Sequence, residues 1–181
     1  MKCRPSAFLR FSILFFAVSI CLAKGWVRYV NKQSGYSSDY PASWYRFNEE
    51  SARFDLLNFP PEQRIKGVTL KAKGAEILVT AQPKENSQSL EDCIKSDLAN
   101  DQLIESRDIS RTQKSHDGCD RLHEVVSRSE VGERAYFVNT SLYCVTKRGS
   151  IQVMLSNWEG DPNQSNYQKI AVRIANSIRV F

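Results

Sequence analysis

The sequence predicts an α+β protein in which helices pack on an antiparallel β-sheet. Two β-prone runs, at 118–129 and 134–147, flank a turn that contains Gly132. A third run with alternating apolar residues follows at 150–157. Segments with helical spacing of apolar residues precede and follow these strands. The 181 residues are 41% apolar and 25% charged, which excludes a disordered or collagen-like chain.

Four short strands are predicted before the first helix. Residues 35–41 form a strand ended by a proline, and residues 42–47 turn into the next strand. The apolar run 54–59 forms the third. Residues 75–81 alternate Ala, Ile, Val and Ala with other residues, which is the period of a strand with one buried face.

The first helix is predicted from Ser89 to about Asn100. Ser89 is the candidate N-cap, and Asp92 three residues later completes an acidic form of the capping box. Cys93 lies within an apolar stripe of this helix, so we expect a buried thiol rather than a reactive nucleophile. The stripe consists of Leu90, Ile94 and Leu98.

A polar strand at 103–111 and a turn at His116-Asp117-Gly118 lead into the longer strands. The last helix is predicted to start at Asp161-Pro162. Its apolar face carries Tyr167, Ile170, Ala171, Ile174 and Ile178.

A hairpin centred on Val131-Gly132 would place Cys119 directly opposite Cys144. Opposed Cα atoms lie ~4.5–5.5 Å apart, which a disulfide tolerates. The bond would close a loop of about 25 residues and contribute about 3 kcal/mol. Two buried free thiols, or a bulge that slips the register, are the alternatives.

A second turn at Arg148-Gly149 would place Val153 opposite Cys144 and Leu155 opposite Leu142 on the neighbouring strand. One face of the meander would then carry the apolar residues Leu142, Cys144, Ile151, Val153 and Leu155.

Residues 1–23 resemble a secretory signal peptide, with three cations and no acid before the apolar stretch 11–22. That stretch is shorter than the ~20 residues that span a bilayer. Cleavage would reduce the basic residues from 25 to 22 against 20 acidic ones, and no basic patch remains for nucleic acid. We therefore expect one domain at 26–181, secreted or held in the periplasm or cell envelope, with no membrane span after cleavage.

Two alternatives to a cleaved signal remain open. Cys21 ends the apolar run, as in a bacterial lipobox, although Ile20 replaces the usual small residue before it. The segment could also stay attached as an uncleaved anchor helix.

Several landmarks along the chain resemble the PsbP-like proteins, an α/β/α sandwich family that includes an extrinsic subunit of photosystem II. A Ran-binding nuclear protein shares that fold. The resemblance rests on the stretch 35–44, on Ser89-Leu90-Glu91-Asp92, on Gly118 before the long strand, and on 174–178. It implies a non-enzymatic binding or accessory role and transfers no site residues.

One cluster has residue types that bind metals: His116, Asp117, Cys119, Asp120 and His123. On an extended strand Cys119 and His123 would lie ~13 Å apart, too far to share an ion. Polar turn residues therefore explain the cluster better, and we predict no metal or cofactor. No GxSxG or phosphate-binding loop is present, and the two histidines limit any nucleophile–histidine dyad.

Six aromatic residues crowd positions 26–45. They predict either a hydrophobic core beneath the first strands or a partner-binding surface. They are Trp26, Tyr29, Tyr36, Tyr40, Trp44 and Tyr45. Asn139 and Asn163 lie in glycosylation sequons, of which Asn163 is the loop candidate.

The sequence as a whole favours an exported, non-enzymatic binding or accessory module for an unidentified protein or small molecule. One alternative is a secreted hydrolase or metal-dependent enzyme centred on His116 to His123. The other is a surface lipoprotein anchored through Cys21.

Overall fold

The computed structural model describes residues 25–47, 49–50, 52–63, 74–83, 89–109, 118–130, 135–146 and 149–181. The strands are β1 (Trp26–Asn31), β2 (Tyr36–Pro41), β3 (Tyr45–Phe47), β4 (Arg53–Leu57), β5 (Ala75–Pro83), β6 (Gln102–Asp108), β7 (Arg121–Glu130), β8 (Tyr136–Thr146), β9 (Gly149–Trp158) and β10 (Arg179–Val180). The α-helices are α1 (Leu90–Asp97) and α2 (Gln164–Ser177). The predicted signal segment, Cys21 and the turn residues His116 and Asp117 lie outside the described residues.

The described strands form two antiparallel sheets. The larger has the order β3-β4-β5-β9-β8-β7-β6, and the smaller has the order β1-β2-β10. The predicted α+β class is confirmed, since helices pack on an antiparallel sheet. The sequence pattern missed β1 and β10, because β1 has mostly exposed residues and β10 is only two residues long.

Helix α2 packs between the two sheets, and α1 packs on the opposite face of the larger one. The main core combines Tyr36 of β2, Leu142 of β8 and Ile174 of α2, all fully buried. A separate cluster joins Cys93 of α1 to Val125 and Tyr143. Since neighbouring strand residues point to opposite faces, Leu142 and Tyr143 lie on different sides of the sheet.

The predicted start of α1 is confirmed. The Ser89 hydroxyl accepts a hydrogen bond from the Asp92 amide at 3.1 Å and donates one to the Asp92 carboxylate at 2.8 Å. The helix ends at Asp97, before the predicted Asn100. Cys93 is buried as predicted, and burial, with the nearby carboxylates of Asp97 and Asp92, raises the pKa of its thiol.

The predicted register between β7 and β8 is wrong. Leu122, not Cys119, lies opposite Cys144, and Glu130 pairs with Tyr136. The predicted hairpin places Glu130 opposite Glu133, so the observed pairing is displaced by three positions.

The two thiols are nevertheless joined in a disulfide, with their Cα atoms 5.1 Å apart. Cys119 lies outside β7, where the backbone leaves the regular strand while the Asp120 amide still donates to Val145. This irregular entry carries Cys119 to the face of Leu122 and Cys144, beneath α2.

The register between β8 and β9 is displaced by two positions, since Thr146 pairs with Gly149. Ile151 lies opposite Cys144, and Val153 lies opposite Leu142. A shift of two leaves every side chain on its original face. The predicted apolar face is therefore confirmed, and its members Leu142, Cys144, Ile151, Val153 and Leu155 are all buried.

Candidate functional site at the β6 edge

β6 lies at one end of the larger sheet, where β7 is its one neighbour among the described strands. All seven residues of β6 are exposed. They include Leu103 and Ile104, which are 49% and 55% exposed. A bulge between Leu103 and Glu105 interrupts the pairing with β7. Exposed apolar residues on an unpaired edge form a surface to which another chain can bind.

The direction of the β6 amides follows from the hydrogen bond in which the Ile109 amide donates to the Leu122 carbonyl at 2.9 Å. Backbone groups alternate in direction along an antiparallel strand. The Arg107 amide therefore also faces β7, whereas the amides of Ser106 and Asp108 face away from it. In the described part of the chain no strand pairs with this outer side.

Ser106, His123 and Asp108 form a hydrogen-bonded chain across β6 and β7. Asp108 lies opposite His123, and its Oδ1 is 2.7 Å from His123 Nδ1. The Ser106 hydroxyl is 2.8 Å from His123 Nε2. Because the carboxylate can only accept, Nδ1 carries the proton and Nε2 accepts from the serine. This is the connectivity of a Ser–His–Asp triad.

Arg121 fixes the carboxylate at the end of this chain. Its guanidinium donates to both Asp108 oxygens, at 2.9 and 3.2 Å. These hydrogen bonds, followed by the bond from His123, hold the pKa of Asp108 below its ordinary value. Asp108 is 58% exposed, whereas the His123 side chain is only 12% exposed. The imidazole is thus held between a fixed acid and an exposed hydroxyl.

The other face of the same edge carries ion pairs. Arg107 Nε donates to Glu124 at 2.7 Å, and another guanidinium nitrogen donates to Glu105 at 2.8 Å. Glu124 is buried, so Arg107 compensates a carboxylate that has lost most of its water. The edge strand is therefore held in place by ionic contacts on both faces.

No protein-family model matches the chain, and neither does any curated protein. The solution structure of cyanobacterial PsbP (CyanoP) from Synechocystis is similar to it, with a TM-score of 0.51 and 14% identity. The match covers 87% of this chain and 94% of CyanoP. The protein has the PsbP-like fold.

Two further structures extend this comparison. The Saccharomyces cerevisiae Ran-binding protein Mog1p matches with a TM-score of 0.51 and 7% identity, over 87% of this chain and 96% of Mog1p. A Bacteroides thetaiotaomicron protein matches with a TM-score of 0.49 and 12% identity, over 87% of this chain. This chain spans only about half of that protein, 49% of its length.

Of the five residues of metal-binding type at 116–123, the three that the structure describes do not form a site. Cys119 is bonded to Cys144 beneath α2, whereas His123 lies on the opposite face, beside Tyr143. Within the described residues, no group of three or more His, Cys, Asp or Glu side chains is placed to hold a metal ion. His123 instead joins Ser106 and Asp108, neither of which the sequence singled out.

The aromatic residues of the first strands mainly fill the core. Tyr29, Tyr36 and Trp44 are buried, while Trp26 and Tyr40 pack against the same cluster half-buried. Tyr45 alone among these six is largely exposed. The core interpretation of this segment is therefore confirmed.

The two sequons have different settings. The Asn139 side chain contacts Asp101 at 3.0 Å, Ser129 at 2.6 Å and Ser156 at 2.7 Å within a polar network beneath the end of α1. Asn163 is exposed at the N-cap of α2. That setting agrees with the prediction that Asn163 is the accessible asparagine.

A cleft of about 230 Å³ opens near the ends of the two sheets. Its lining includes Gln33 and Ser34 beyond β1, Gln82 of β5, Ser150 of β9 and Val180 of β10. The lining residues that the structure describes carry no charged side chain. The β6 edge carries both charged and apolar exposed side chains.

Among the described residues no helix is long and apolar enough to cross a membrane.

Proposed function

We propose that the chain is an exported binding or accessory module that holds an extended segment of a partner protein along the outer edge of β6. The observation that carries this proposal is the exposure of all seven residues of β6, including Leu103 and Ile104. The outward amides of Ser106 and Asp108 offer hydrogen bonds to an added strand, and the two apolar side chains offer contact area. The bulge and the charged residues of β6 restrict pairing to a matching partner.

One comparison and two features of the chain support this function. Mog1p, which has the same fold, is described as a Ran-binding protein, so the fold is compatible with protein recognition. The disulfide and the N-terminal apolar segment support export, because disulfides persist in oxidising compartments.

A photo-crosslinking residue at position 104 tests the binding surface. We expect it to capture one recurrent protein from the compartment where the chain resides, while the same residue at Val30 does not. Val30 is a matched control, because it lies on the free edge of the smaller sheet and is similarly exposed.

The captured protein is then purified and its affinity for the chain is measured. Ile104→Lys should weaken binding at least about tenfold, since one apolar contact at an interface is worth about 1.4 kcal/mol or more. Val30→Lys should leave the affinity unchanged. Equal capture at both positions, or equal loss in both variants, contradicts the β6 edge as the binding surface.

Export has its own test, the mass of the mature N-terminus. A chain that starts at Lys24 or close to it supports cleavage after the predicted signal. A chain that starts with diacylglyceryl-modified Cys21 shows the anchored lipoprotein instead. An intact Met1 excludes both.

A further inference from the structure

We propose that Ser106, His123 and Asp108 hydrolyse small carboxylic esters, with Ser106 as the nucleophile and His123 as its general base. This activity goes beyond partner binding and does not depend on it.

The geometry already has the hydrogen bonds that such a reaction uses. Nε2 of His123 lies 2.8 Å from the Ser106 hydroxyl and can accept its proton. Asp108, 2.7 Å from Nδ1, keeps the imidazole in the tautomer whose free nitrogen faces the serine. Asp108 and Arg121 are positioning residues, since neither touches the hydroxyl.

Ser106 also supplies a donor for the developing oxyanion. Backbone amides alternate in direction along β6, and the Ile109 amide points toward β7. The Ser106 amide therefore points to the outer side of β6, where no described strand lies. In serine proteases of the chymotrypsin type the amide of the nucleophilic residue is one of the oxyanion donors. When the ester carbonyl oxygen of a substrate accepts a hydrogen bond from the Ser106 amide, the carbonyl carbon lies close to the Ser106 hydroxyl.

Exposure decides the substrate class. Ser106 is exposed at a sheet edge, so the site encloses little of a substrate beyond the reacting bond. Binding energy is then small, and reaction depends on a good leaving group. Short acyl esters of phenols fit this description, whereas amides and bulky acyl groups do not.

The reaction proceeds in two balanced steps. The Ser106 oxygen bonds to the carbonyl carbon while His123 takes the hydroxyl proton, and the carbon–oxygen bond to the leaving group breaks as that proton is returned. Water then attacks the acyl-serine with His123 as base, which releases the carboxylic acid and restores the hydroxyl.

The test uses the purified protein with 4-nitrophenyl acetate, and separately with a fluorophosphonate that labels activated serines. We expect acetyl and phosphonyl groups on Ser106, located by peptide mass spectrometry. Ser106→Ala and His123→Ala should each lower the hydrolysis rate about 100-fold. Ser43→Ala, which removes another exposed serine, should not change it.

Asp108→Asn should slow labelling at least about tenfold, and Asp108→Glu should restore part of the rate. Melting temperatures of all variants are measured, so that loss of folding is recognised. Modification of unaltered protein at residues other than Ser106, or equal labelling of Ser106 in His123→Ala, overturns the proposal.

Discussion

At the scale of single residues, Tyr143 shows how a polar hydroxyl is accommodated in an apolar cluster between α1 and the larger sheet. The ring packs with Cys93 and Val125, and its hydroxyl donates a short hydrogen bond to Asp97. Gln152 donates to the same carboxylate at 2.6 Å. Burial, followed by the contact with Asp97, raises the pKa of Tyr143 above its ordinary value. The tyrosine is therefore held in its neutral form.

This shift predicts a loss of stability in alkali. Above pH ~10 the unfolded chain releases the Tyr143 proton and the folded chain keeps it, so the free energy of unfolding falls as pH rises. One such group contributes a slope of at most about 1.4 kcal/mol per pH unit. Tyr143→Phe should flatten the fall between pH 10 and 11, measured by urea unfolding. Tyr45→Phe, at an exposed position, should keep the full slope.

At the scale of elements, the disulfide joins the residues just before β7 to the last part of β8. The bonded residues are 25 positions apart, so the bond restricts the unfolded chain mainly over these two strands. Their pairing is regular from Arg121 to Glu130, which shows that the bond fits the sheet without disturbing it.

Replacing both Cys119 and Cys144 by alanine should lower the free energy of unfolding by about 3 kcal/mol. In urea unfolding, where the unfolded chain exposes the bond, a reductant should destabilise the unaltered protein by a similar amount and have little effect on the double variant. Cys93→Ala, which keeps the disulfide, is the control that must remain sensitive to reductant. An unaltered protein that is indifferent to reductant would show that the bond does not form.

The sequence predicted those strands and helices in which apolar residues recur with the period of a strand or a helix. Ala75, Ile77 and Val79 are all fully buried because β5 has one face in the core. The prediction of which β9 side chains face the core was right although the register was wrong. A register shift of two residues leaves each side chain on the same face of the sheet. The β7–β8 register was wrong because the residue pattern does not show where β7 ends and β8 begins.

The candidate site was only partly predictable. His123 stood out as one of two histidines, but Ser106 and Asp108 are ordinary residues of a polar strand. They meet His123 because β6 pairs with β7 in a register that begins after a bulge. Bulges leave no reliable trace in composition or periodicity, so this juxtaposition required the structure.

At the scale of the whole molecule, α2 joins the two sheets. Ser177 near its end accepts a hydrogen bond from the Asp39 amide of β2 at 2.7 Å and donates one to the Ile174 carbonyl. Ile174 is fully buried in the core shared by α2 and both sheets. Unfolding of either sheet would therefore expose the same apolar face of the helix.

Ile174→Ala should lower the free energy of unfolding by about 2–5 kcal/mol, because it leaves a cavity in this shared core. Ile170→Ala, at a half-buried position of the same helix, should cost less. Circular dichroism and tryptophan fluorescence should report one coincident transition in each case. Separate transitions would show that the sheets unfold independently and would contradict one domain at 26–181.

The position of the disulfide beneath α2 also orders the events of folding. β7, β8 and β9 are consecutive in the chain, so they associate through short loops before the distant pairing of β5 with β9 or of β2 with β10. The Cys119 sulfur lies 3.8 Å from the Ala175 carbonyl, and Cys144 is fully buried. We therefore expect these thiols to be oxidised while the C-terminal helix is still undocked, and the finished bond to be reached by reducing agents only when the chain unfolds.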